Sequence, residues 1–90
     1  MSDFIVLAKD FVANESAVVD IKPFGFGSTL VFQNKTGQLA KFLWQSNDVE
    51  KKGYFKEVMN DLGVKIAHYD EFITVTNGGG GQYLEVELLG

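Results

Sequence analysis

The spacing of apolar residues between Asn47 and Val64 constrains this chain more than any other feature. Phe55, Val58, Met59 and Leu62 recur at steps of three and four, which at 3.6 residues per turn stacks them on one narrow helical face. Glu50, Glu57, Asn60 and Asp61 fall opposite. Asn47 suits an N-cap, Glu50 can return a hydrogen bond to the cap as in a capping box, and Gly63 can take the left-handed conformation that stops a helix. The spacing therefore predicts an α-helix over about residues 48–62. A helix of that length with one apolar face is marginal alone in water, so it must rest on something flat and apolar.

The flanking sequence reads as that sheet. Phe4 to Ala8 is a continuous apolar run that resumes at Phe11-Val12-Ala13 and predicts a strand, although residues 3–13 also fit helical spacing. Asn14-Glu15-Ser16 turns it into a second strand, Ala17 to Lys22, as a hairpin. Pro23 to Ser28 breaks the pattern, because proline removes a ladder donor and two glycines loosen the backbone. Thr29–Gln33 and Gln38–Gln45 form a hairpin about Asn34-Lys35-Thr36-Gly37, with Ala40, Phe42 and Trp44 on one face. After the helix come a short strand at Val64–Tyr69, a turn at Asp70-Glu71 and a strand at Phe72–Thr76. Gly78 to Gly81 make a mobile hairpin tip, and Gln82–Leu89 alternates Leu84, Val86 and Leu88 against Tyr83, Glu85 and Glu87. Strands, one helix, then strands predict an α+β fold: a mostly antiparallel sheet of five to six strands with the helix packed on one face. Residues 1–90 read as a single domain with one modest core.

Hydrophobic residues make up 46% of the chain and charged ones 22%, the balance of a folded globular domain rather than a disordered tail. The formal charge is −4, and every basic residue is a lysine, so no guanidinium can grip phosphate or guanine in bidentate fashion. Nucleic acid is an unlikely partner on that count. Cysteine is absent, which removes disulfides and thiolate-bound zinc or iron–sulfur centres. The start lacks a basic leader and no stretch approaches bilayer-spanning length, so a cytoplasmic location is expected, the host cytoplasm if the chain is viral.

Little in the sequence assembles into catalytic chemistry. His68 is the only histidine, and no serine sits in a nucleophile-elbow pattern. His68 with Asp70 and Glu71 has the donor types for a divalent ion, but three polar residues at a turn are usually just solvated. Neither glycine run opens a helix, as a phosphate loop requires. We expect no enzyme activity, no metal and no cofactor.

Lys22-Pro23-Phe24-Gly25-Phe26 partly resembles the ribonucleoprotein motif of RNA-recognition and cold-shock domains, in which a basic residue precedes aromatics that stack on bases. The resemblance covers five residues; proline stands where the motif has glycine, and Gly27 where it has its next apolar residue. It implies single-strand nucleic-acid binding through Phe24 and Phe26. The competing expectation is a partner protein. Exposed aromatics at a glycine-flexible bend suit a protein interface. On the helix, Val49, Gly53 and Asn60 lie together opposite Phe55 and Leu62, where small residues admit another backbone, or else Gly53 marks a separate first turn with the regular helix starting later. Asp70, Glu71, Glu85 and Glu87 offer an acidic surface. The reading is a small acidic protein-binding domain of the inhibitor, immunity or anti-defence type, such as viruses and mobile elements encode, which acts by occluding its partner. A homo-oligomeric assembly subunit is the second reading.

Overall fold

In the computed structural model, which describes residues 3–47 and 52–90, the chain forms eight strands: β1 (Phe4–Phe11), β2 (Ser16–Asp20), β3 (Thr29–Gln33), β4 (Leu39–Asn47), β5 (Lys52–Asn60), β6 (Val64–His68), β7 (Phe72–Asn77) and β8 (Gln82–Leu89). They make two antiparallel sheets, one of five strands in the order β1-β8-β3-β4-β5 and one of three in the order β2-β7-β6. The architecture is all-β, and the α+β expectation is overturned.

Two-residue alternation dictates which face is buried. Leu84, Val86 and Leu88 of β8, Leu30 and Phe32 of β3, and Ala40, Phe42 and Trp44 of β4 turn inward from the large sheet. Val19 of β2, Val64 of β6, and Ile73 and Val75 of β7 meet them from the small one. Each large aliphatic or aromatic side chain so buried stabilises the fold by ~1.5–3 kcal/mol. Phe32 and Phe42 pack edge to face across β3 and β4, with ring centroids 5.7 Å apart.

The predicted helix is a strand, and a β-bulge explains the helical spacing. β5 pairs with β4 along its length, Trp44 opposite Phe55 and Gln45 opposite Tyr54, until the register shifts between Lys41/Met59 and Phe42/Glu57. Val58 is the extra residue. A bulge breaks strict alternation, so Phe55 points inward, Met59 shares the outer face with Lys41, and Leu62 is buried past the strand's end. Apolar residues that serve three environments thus fall at steps of three and four. Gly63 does adopt a left-handed conformation (φ 66°), but to turn β5 into β6. Asn47 ends β4 instead of capping a helix, and Glu50 and Val49 lie outside the described residues.

The expected hairpin of the first two strands is also absent. β1 pairs with β8, and β2 with β7, so β1–β2 and β7–β8 run as one two-stranded ribbon that bends from one sheet into the other. The four glycines are accordingly not a hairpin tip but part of this bend. Asn77 organises it and is fully buried. Its Nδ2 donates to the carbonyls of Val12 (3.1 Å) and Gly80 (3.0 Å), while its Oδ1 accepts from Gly79 N–H (3.2 Å) and Gln82 Nε2 (2.9 Å). Asn77 N–H donates to Glu15 O, and its carbonyl accepts from Asn14 N–H. Every polar atom of the residue is bonded. A side chain at Gly78 would run into the Gly63 carbonyl, which accepts the Gly78 N–H at 3.1 Å. Glu15 completes the corner by accepting from Lys9 Nζ and from Val12 N–H (2.9 Å). The Lys9 hydrogen bond, then that of Val12, holds the Glu15 carboxyl below its ordinary pKa.

Candidate functional site: an aromatic mouth between the sheets

Three strands cannot cover five, and the shortfall lands on β5. Deep in the sandwich the inward side chains of β3 and β8 are essentially without solvent exposure, whereas on β5 Phe55 is half-buried and Glu57 exposed. Across from them stand Ile66 and His68, which lie on the inner face of β6 by their register with Val75 and Ile73. Between these two edge strands the sandwich has a mouth of about 520 Å³. It is floored by Phe42, Phe55, Val64 and Ile66 and rimmed by Tyr54, Glu57, Lys65 and His68.

Both ends of the mouth are closed by named contacts. At one end the Asn60 side chain mimics a peptide group, with Nδ2 donating to Val64 O (2.8 Å) and Oδ1 accepting from Val64 N–H (3.0 Å). At the other end the Trp44 and His68 rings meet edge to face at 5.2 Å. Trp44 also tilts against Phe55 (4.7 Å) and stacks on Phe26 (5.7 Å), while Phe24 meets Phe55 edge-on at 6.0 Å. The bend from Ile21 to Ser28 is tied to the same strand. Gly27 N–H donates to Trp44 O, and Trp44 N–H to Ser28 O.

The structure brings Phe26 and Gly53 onto Trp44, and Phe24 onto the neighbouring Phe55. Their roles differ. Phe24 is core, 8% exposed, whereas Phe26 is 56% exposed and lies over the indole. Gly53 is not on a helix face. The Trp44 ring lies directly over it, so that a methyl group built there would fall inside the indole. Val49 lies outside the described residues. Asp70 and Glu71 form the β6–β7 turn next to His68, where Glu71 accepts Ile21 N–H on its carbonyl and sets its carboxylate 3.9 Å from Lys22 Nζ. A dish of about 610 Å³ there is lined only by the consecutive residues His68 to Phe72. Glu85 and Glu87 are elsewhere, on the outer face of the five-stranded sheet between β1 and β3. The four acids therefore do not share one surface.

Sequence reasoning placed Trp44 on one strand face with Ala40 and Phe42 but missed that it is the hub, and it missed Phe55, Tyr54 and Ile66 as site residues. Their signal was present. Tyr54-Phe55 beside a glycine, at hairpin distance from Trp44-Gln45, is a cross-strand aromatic pairing pattern. Among the described residues no three His, Asp or Glu side chains gather as metal ligands do. No helix among them is long and apolar enough to cross a membrane. No protein-family model matches the chain, and neither a curated protein nor a solved structure matches it.

Proposed function

We propose that this chain is a non-catalytic binding domain that takes an extended segment of a partner protein into the mouth between β5 and β6. The observation that carries this reading is the five-on-three mismatch. A segment laid along the β6 edge would add a fourth strand to the small sheet, and its inward side chains would cover the half-buried Phe55. Main-chain pairing supplies affinity, and the aromatic floor selects apolar side chains. Phe26, stacked on a nearly buried indole, is a rigid apolar anchor beside the mouth. Sequestering a partner's segment in this way is occlusion, the mode of action of an inhibitor or immunity-type protein.

Single-strand nucleic acid fits this geometry poorly. Phe24 is buried and has no ring face to offer a base, Phe26 already gives one face to Trp44, and Lys22 sits beside Glu71. A second copy of the chain has one observation in its favour. The edge strand β1 carries the run Phe4–Ala8, and Phe4, Ile5 and Val18 are exposed along a groove of about 300 Å³ between β1 and β2.

The test compares three proteins, each first shown to be folded: wild type, Phe26→Ala/Tyr54→Ala at the mouth, and Glu85→Lys/Glu87→Lys on the far face. Partner protein recovered from the source cells is titrated against each, and so are single-stranded oligonucleotides. The mouth variant is expected to weaken partner binding by roughly tenfold or more, the scale of losing an interface anchor, and the far-face variant to leave it unchanged. The reverse pattern would contradict the reading, as would tight, salt-resistant oligonucleotide binding. Self-association abolished by Ile5→Lys would favour the second copy instead.

A further inference from the structure

Asn77-Gly78 is the single Asn-Gly step in the sequence. Without a side chain on the following residue, such a step is the one most open to self-attack. The Gly78 backbone nitrogen adds to the Asn77 side-chain carbonyl carbon, the amide nitrogen leaves as ammonia carrying the proton lost from Gly78, and water then opens the cyclic imide to aspartate or isoaspartate. The position of this step in the fold bears directly on that chemistry. Attack requires the Gly78 nitrogen and the Asn77 side chain to swing together and water to reach them. Here the Gly78 N–H is spent on Gly63 O, both amide hydrogens of Asn77 are spent on Val12 and Gly80, and its oxygen accepts twice. The residue is 0% exposed.

We propose that Asn77 is a latent deamidation site, held unreactive by the folded corner and released whenever the corner opens, so that each opening risks a change that prevents reclosure. The second half follows from the same hydrogen bonds. A carboxylate has no N–H, so aspartate at this position would aim an acceptor at the Val12 and Gly80 carbonyls and bury a charge beside them. Isoaspartate would also lengthen the main chain between Asn77, whose N–H and C=O are both engaged, and Gly78, whose N–H donates to Gly63 O. The corner therefore records unfolding irreversibly.

The experiment incubates the intact chain at mildly alkaline pH with and without denaturing urea, and peptide mapping follows aspartate and isoaspartate at residue 77. The native protein is expected to convert at least about tenfold more slowly than the urea-unfolded one, because reaction must wait for the unfolding that opens the corner. Gln82→Ala, which removes one of the two donors to Asn77 Oδ1, is expected to fall between them. Equal rates in the native and unfolded proteins would overturn the protection. The consequence is read separately from Asn77→Asp. Loss of cooperative refolding supports irreversible recording, and wild-type stability in that variant would overturn it.

Discussion

The Asn77 corner and the mouth that runs from it along β5 and β6 solve the same problem in opposite ways, although they adjoin where Val64 pairs with Asn77. At the Asn77 corner the chain crosses between sheets twice, and every polar atom of a fully buried residue finds a partner, so the sheets are locked together. Along the β5–β6 mouth one asparagine bridges the sheets through Val64, and aromatic rings face solvent. A saturated buried network specifies one geometry, because any departure strands a donor or acceptor in low dielectric. An under-covered apolar face keeps free energy available for a ligand. Rigidity at the corner lets the mouth stay open without the sheets collapsing onto each other.

Breaking the corner is expected to have the largest effect. Asn77→Ala strands the Val12 and Gly80 carbonyls, the Gly79 N–H and the Gln82 amide. It should cost roughly 3–5 kcal/mol, since each buried group left without a partner costs about 1–3 kcal/mol and relaxation recovers part. Urea unfolding would measure it. A loss below about 1 kcal/mol, the worth of one ordinary hydrogen bond, would mean that the corner does not hold the sheets.

The mouth should yield a smaller change with a local signature. Gly53→Ala places a methyl group inside the Trp44 ring, and forcing the indole aside should cost about 1–3 kcal/mol, as overpacking usually does. Trp44 is the sole tryptophan, so its fluorescence should shift toward that of an exposed indole while the urea slope stays constant. Unchanged emission would remove Gly53 from the site.

Acid should distinguish the corner from the mouth most subtly. The Glu15 carboxyl titrates below its ordinary value because of the Lys9 and Val12 hydrogen bonds, so the folded state binds its proton less readily than the unfolded one. Its contribution is complete above the ordinary carboxylate range and is lost as pH falls through the lowered folded-state pKa. Glu15→Gln should flatten that part of the stability-versus-pH curve, a modest effect for a pair that solvent still reaches. An unaltered curve would detach Glu15 from the corner.

How much of this was legible in the sequence follows from the same contrast. The pure alternation of β8, the turn at Asn34–Gly37 and the shared face of Ala40, Phe42 and Trp44 could be read directly, because each rests on neighbours within one strand or one hairpin. β5 could not, because Val58 bulges and its apolar neighbours serve an inner face, an outer face and a turn. Gly78–Gly81 read as a loop tip because the partner that makes them a corner is the carbonyl of Val12, far away along the chain. The bend aromatics were found by type, but only Trp44 and Phe55, reached from β4 and β5, show why Phe26 is held outward and Phe24 inward.

Native-state amide hydrogen exchange tests the contrast most directly, because it reads the opening free energy of each segment separately. The amides of Asn14, Asn77, Gly78 and Gly79 should exchange only through global unfolding, and their rates should follow the whole domain's stability as urea is added. The β5 amides from Lys52 to Asn60 should exchange through smaller openings that are nearly independent of urea. Exchange at β5 as slow as at the corner, or corner amides that open locally, would contradict the account.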